Sequence, residues 1–291
     1  MSLLKKYEET VEFAGIKLPG KVLAFLTIMS AVGVSFVTLF FDPMLSVLMA
    51  ILLIDIGFGL PFFLAEAKIA KIERRLPDVL HHIGTTLKTG GTIEAALKEV
   101  SRIDYGPITV GVKQMLKRIN EGQTFEEAFS EFALNSRSKL LKKAAVIIIA
   151  AKKSGGALVE TLSAMAEDFR ALYRLERERK TKTFMQFLFI ITAGCFVAPF
   201  VFGIVKSVLG ILLQVGGSTA MYAETVRIVS QFDFLFKAYL MLESALSMMG
   251  AVQVREGKLS KAVIYIPIGM LASYVIYVLT SSVFLSFLMG S

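Results

Sequence analysis

Two carboxylates stand deep in otherwise apolar sequence, Asp55 within Met44–Ala65 and Glu243 within Phe232–Val252. A charge at the middle of a hydrocarbon layer costs roughly 2.5–3.5 kcal/mol on insertion scales, so such residues face the protein interior or a polar partner. Facing one cavity, the two could carry a proton or an ion. Facing separate neighbours, each could pack helices as a hydrogen-bonded or protonated acid, or meet a lipid headgroup or a partner's span. Aspartyl-protease chemistry is not expected. Asp55 is followed by Gly57-Phe58-Gly59 and then Leu60 where a second aspartate would be needed, and Asp42 and Asp233 fall near span ends.

Other motifs lose their chemistry on inspection. Gly15-Ile-Lys-Leu-Pro-Gly20-Lys21 follows the phosphate-loop pattern until Val22, where a hydroxyl should hold magnesium. No strand precedes it and Pro19 removes an N–H, so any energy from ATP would have to come from a partner. His81 and His82 are neighbours on a helix and point about 100° apart, which does not suit a shared metal. Cys195 is the sole cysteine and forms no internal disulfide. No catalytic constellation, cofactor or metal is expected. Four basic groups remain: Lys113/Lys117/Arg118, Lys142/Lys143, Lys152/Lys153 and Arg174/Arg177/Arg179/Lys180. Each is either a solvated, membrane-proximal face or a dock for an acidic protein surface. Nucleic acid is not expected, because the aromatic residues nearby keep core-like spacing rather than forming a stacking platform.

The elements that hold these residues are set by hydropathy. The chain has 291 residues, 55% of them hydrophobic, and a mean hydropathy of +0.64. A span needs about 20 apolar residues. Five stretches reach that length: Val22–Phe41, Met44–Ala65, Phe184–Val205, Phe232–Val252 and Ala262–Leu288. Between the second and third lies a block, 66–183, with 22 of the chain's 32 Lys and Arg residues. Basic residues collect on the cytoplasmic side of membrane proteins. Lys5, Lys6, Lys17 and Lys21 before the first span, and Arg255, Lys258 and Lys261 before the fifth, place the N-terminus with the block on that side. The Phe41-Asp42-Pro43 link has no basic residue, and 206–231 has only Lys206 and Arg227. The predicted order is a cytoplasmic amphipathic segment (1–21), a two-span hairpin (22–65), a cytoplasmic helical domain (66–183) and a three-span region (184–291) with its end outside. Positive-inside bias accounts for most of the net charge of +8. With tryptophan absent, Tyr222, Tyr239, Tyr265, Tyr274 and Tyr277 are left to form any interfacial belt.

Helical punctuation fills the block. Pro77 suits a helix start; Gly90-Gly91 ends that helix and Thr92 caps the next; Tyr105-Gly106-Pro107 is a turn. Gly122 closes a third helix, and Thr124-Phe125-Glu126-Glu127 is a capping box for a fourth. Asn135-Ser136 precedes a fifth, which ends at Gly155-Gly156. Six helices with no alternating strand pattern predict an all-α bundle, with Gly91, Gly122, Thr124 and Gly156 as its capping residues. After Gly156 neither glycine nor proline occurs until Gly194, and Glu176–Lys180 and Glu178–Lys182 are favourable pairs. The last helix is therefore expected to run unbroken into the third span. Residues 1–20 place Leu3, Leu4, Tyr7, Val11 and Ala14 on one face, as in a helix lying on the inner membrane surface.

Two spans, then a block carrying Leu76-Pro77-Asp78, Lys88-Thr-Gly-Gly91 with Ala95-Ala-Leu97, Glu121-Gly122 with Glu127-Ala128, and Lys153-Ser-Gly-Gly156 with Leu162, then further spans: this order resembles the type II secretion F-protein family. It is most similar to the single-domain members of tight-adherence and archaeal pilus systems. The resemblance implies a non-enzymatic platform in the inner membrane of a bacterium or archaeon. Such a platform docks a secretion or pilus-assembly ATPase and passes its cycle to pilin-like subunits in the bilayer. Only one such block is present, so the resemblance also implies a second copy or a paralogous subunit as partner. The ion-coupled transporter using Asp55 and Glu243 stays open beside it.

Overall fold

The computed structural model describes residues 3–16, 18–153, 158–215, 219–257 and 261–289, and every regular element among them is helical. The chain divides into two compact units, residues 1–63 with 179–291, and residues 64–178. Among the described residues five helices are long and apolar enough to cross a membrane, all with windows at or above a mean hydropathy of 1.3. Together they make the chain a multi-pass membrane protein.

In the first unit, α1 (Leu3–Ala14) is followed by α2 (Gly20–Leu39) and α3 (Pro43–Lys88). The turn forms as expected: Asp42 Oδ1 accepts from Met44 N at 2.8 Å and Pro43 opens α3. Ser46 Oγ donates to Ser35 O at 2.7 Å and Ser35 Oγ to Ser46 O at 3.1 Å, so the hydroxyls find partners inside the hairpin rather than in lipid. At Tyr7 and Val11 the apolar face of α1 is covered by protein. Tyr7 and Val11 are buried against Ala24, Leu23 and Phe58, and Tyr7 Oη donates to Gly57 O at 3.1 Å.

The third span is α9 (Phe184–Ile191), a π-helical turn (Thr192–Val197) and α10 (Ala198–Val215). A proline ring clashes with the carbonyl four residues back. For Pro199 that carbonyl belongs to Cys195, inside the widened turn, which supplies the room. The fourth and fifth spans lie in α11 (Thr219–Glu256) and α12 (Ala262–Met289). Most of segment 206–231, expected to be a link, is therefore helix: α10 continues past Gly210 to Val215, and α11 begins at Thr219.

The second unit packs the C-terminal part of α3, α4 (Ile93–Arg102), α5 (Pro107–Asn120), α6 (Phe125–Asn135), α7 (Lys139–Lys153) and most of α8 (Leu158–Lys182) around one core. Leu76, Leu80, Leu97, Val100, Ile108, Val112, Leu141, Ile148 and Ala166 are almost fully buried there. Pro77 does not start a helix. It sits inside α3, which is continuous from Pro43 to Lys88. An interior proline costs about 3 kcal/mol. Burial of Leu76, Val79 and Leu80 around it, each at 3% exposure or less, offsets that cost.

The caps are as the residue types demand. Thr92 Oγ1 accepts from Ala95 N, and Thr124 and Glu127 form a reciprocal capping box. Gly122 has φ +101°, open to glycine without strain. A Cβ on Gly91 would lie 2.8 Å from Thr86 O. Gly156 lies outside the described residues. The run from α8 into α9 is interrupted only at Thr183, which keeps helical dihedrals (φ −89°, ψ 0°). Hydrogen bonds cross it, from Thr183 N to Arg179 O at 2.9 Å and from Phe187 N to Thr183 O at 3.0 Å.

Candidate functional site

The basic residues singled out in the sequence do not behave alike. Arg118 is paired with Glu131. Lys152 reaches Glu126 at 3.0 Å and lies 4.9 Å over the Phe125 ring, tying α7 to the start of α6. That ammonium holds the Glu126 carboxyl below its usual range. Lys117 faces Glu121 at 3.7 Å, one turn along α5, and stays exposed. Lys113, Lys142, Lys143 and Lys153 are exposed.

On α7 those exposed lysines form part of a stripe. Leu141, Ala144, Ala145 and Ile148 face the core. The opposite face runs Lys139, Lys142, Lys143, Val146, Ile147, Ala150 and Lys153, with Val146 70% exposed and Ile147 48%. The spacing of three and four residues makes it one continuous surface. Its centre is apolar and both ends are basic. Lysines in the first turn oppose the positive end of the helix dipole, so this charge gains nothing from its own helix. Beside it, a groove of about 260 Å³ is lined by Lys139, Lys143, Glu73, Tyr173 and Glu176. Tyr173 Oη is buried without a hydrogen-bond partner, and burial, with Glu73 and Glu176 close by, pushes its pKa well up.

Asp55 and Glu243 are not brought together by any hydrogen bond. Each has one buried carboxyl oxygen with no partner. Asp55 borders Gly59, whose missing side chain leaves room for Ile264 of α12. Glu243 sits on α11 where it meets the π-helical turn; a Cβ on Gly194 would lie 2.0 Å from Ser247 Oγ and 4.0 Å from Glu243 O.

A third cluster was not singled out in the sequence. Asp42, at the α2–α3 turn, is bonded to Lys237 of α11 and accepts from Tyr274 Oη at 3.0 Å. Lys237 also reaches Asp233 at 3.1 Å, and Asp233 pairs with Lys206 of α10 at 2.7 Å and accepts from Tyr277 Oη at 2.7 Å. Two cations meet two anions, and the ring hydroxyls satisfy remaining lone pairs. Such pairing is what makes charge tolerable in an apolar setting. Tyr274 and Tyr277 are therefore buried polar links rather than interfacial residues, whereas Tyr239 and Tyr265 are exposed at 50% and 40%. The spacing of Asp233 and Lys237, four apart on one helix, was the available signal. Their other partners, Lys206, Asp42, Tyr274 and Tyr277, come from other helices or the turn between them.

His82 Nδ1 lies 3.1 Å from Tyr105 Oη, and His82 Nε2 lies 3.4 Å from Glu99, which also accepts from Thr86 Oγ1 at 2.8 Å. His81 points elsewhere and is exposed. The histidine thus joins α3 to α4 and to the turn before α5.

The geometry defines an all-α, multi-pass membrane protein with a compact helical unit inserted between its second and third spans. Residues 79–205, which cover most of the helical unit and most of the third span, match the family model of type II secretion system (T2SS), protein F. Flagella accessory protein J of Methanocaldococcus jannaschii is 25% identical over 127 residues, 43% of this chain and 22% of that protein. An uncharacterized protein of the same organism is 26% identical over 150 residues, 49% of this chain and 25% of that protein. The matched stretch thus spans about a quarter of either relative's length. No solved structure matches.

Proposed function

We propose that this protein is the membrane platform of a type IV pilus-like or type II secretion-like assembly machine. In this reading the N-terminus and the 64–178 unit are cytoplasmic. The helical unit docks the assembly ATPase, and the spans pass the ATPase cycle to pilin-like subunits in the bilayer. The family match over 79–205 supports the platform role, as does the archaellum-type relative. The observation that carries the docking step is the exposed face of α7, with Val146 and Ile147 between lysines. A protein surface that fits it has an apolar centre and an acidic rim. Charge of this kind steers association, and the buried apolar centre holds the complex. Arg118 and Lys152 are given a structural role instead, because each is engaged by an acid of its own unit.

Replacing Lys142 and Lys143 with Glu reverses the basic end of the face without touching the core. The expected result is at least a tenfold drop in the assembly ATPase recovered with the affinity-purified platform, with unchanged platform yield. Unchanged ATPase recovery would remove the α7 face from the docking step.

A further inference from the structure

At one end of the last three spans the chain gathers more positive charge than it neutralises. Glu256, the last residue of α11, takes Lys180 at 3.0 Å and Lys261 at 2.8 Å on the same oxygen, Oε2. Arg255 lies beside it, its Nε 3.9 Å from the other oxygen, and its guanidinium is 4.7 Å over the Phe187 ring. The fourth cation is Arg179. It is exposed, and its Nη1 lies 2.7 Å from where a Cβ on Gly257 would sit, so glycine there makes room for the guanidinium. Four cations therefore surround one carboxylate. The carbonyls at the C-terminus of α11 add only about half a negative charge, so Arg179, Arg255 and Lys261 alone exceed Glu256 and that half charge by more than one.

Location decides what that excess can meet. Arg179 and Lys180 lie just before α9 begins at Phe184, Arg255 and Glu256 end α11, and Lys261 directly precedes α12 at Ala262. All three are spanning helices, so the cluster stands where hydrocarbon gives way to water, the level of lipid phosphates. The side chains of Arg255, Lys180 and Lys261 are 41%, 27% and 28% exposed, open enough to reach a headgroup while fixed on their inner side. The two guanidiniums have the planar fork that grips phosphate with paired hydrogen bonds.

We propose that this corner binds the headgroup phosphate of an anionic phospholipid, held by Arg179, Arg255 and Lys261, with Glu256 positioning Lys180 and Lys261. The bound lipid would clamp the third, fourth and fifth spans at their shared end. Glu256 is then a limiting element. It orders two lysines, and its own negative charge weakens the site.

The test uses the full chain in nanodiscs. Thermal unfolding and native mass spectrometry are read in phosphatidylcholine with and without phosphatidylglycerol. Wild type is expected to retain phosphatidylglycerol selectively and to unfold several degrees higher with it. An Arg179→Gln/Lys261→Gln variant should lose at least tenfold in phosphatidylglycerol retention, and its unfolding midpoint should no longer rise when phosphatidylglycerol is added. Glu256→Gln should change retention in the opposite direction, which separates lipid binding from a general loss of fold. Equal stabilisation by the two lipids would overturn the proposal. So would undiminished retention in the double variant, or displacement of the lipid by millimolar inorganic phosphate, which would mark a free-anion site.

Discussion

A methyl group added at Gly57 would lie 2.0 Å from Thr27 Cγ2, whereas one added at Gly33 would meet nothing within 4 Å. Glycine to alanine inside a helix normally stabilises by roughly 0.5–1 kcal/mol. That sign should hold at Gly33→Ala and reverse at Gly57→Ala, where α2 and α3 would have to separate at a cost of about 1–3 kcal/mol. Thermal unfolding of the two variants in detergent checks this, and equal midpoints would contradict the close packing. Local residue chemistry was legible in advance. The Asp42-Pro43 turn and the Thr124–Glu127 capping box each depend on a few neighbouring residues, and both form. Asp55 and Glu243 were found as costly acids, but their surroundings could not be read, because Ile264 beside Asp55 and Gly194 beside Glu243 come from helix crossings that no local pattern encodes.

Element boundaries were legible where apolar periodicity ends abruptly, and misleading where prolines or charges seemed to end it. Pro77 lies within α3 because buried leucines continue on both sides of it. The stretch 206–231 looked like a link because it separates two apolar runs, yet most of it is helix, and Lys206 of α10 is paired with Asp233 of α11. That network makes a prediction for α11. Lys237→Met should remove the cationic partner of Asp42 and one of the two cationic partners of Asp233, and destabilise the span unit by roughly 3–5 kcal/mol. Adding Asp42→Asn should recover part of that loss, since the stranded anion is gone. A double-mutant cycle on unfolding midpoints checks the coupling. Strictly additive losses would show that the two side chains do not share an interaction.

For the whole molecule, the proposed role joins a docking unit to a membrane unit through the chain segments that both contain. One of them is α8, which continues by hydrogen bonds across Thr183 into the third span. In this account movement imposed on the helical unit reaches the spans through that helix. Separate functions can therefore be tested separately: charge on α7 affects recovery of the ATPase, the Arg179–Lys261 corner affects lipid, and the continuity of α8 affects filament assembly alone. The most direct measurement is an insertion of Gly-Gly-Gly after Glu176 in a host that assembles the filament, scored for membrane insertion, ATPase recovery and filaments together. The expected result is the chain in the membrane at normal level, the ATPase still bound, and no filaments. Filaments at the wild-type level would contradict transmission through α8.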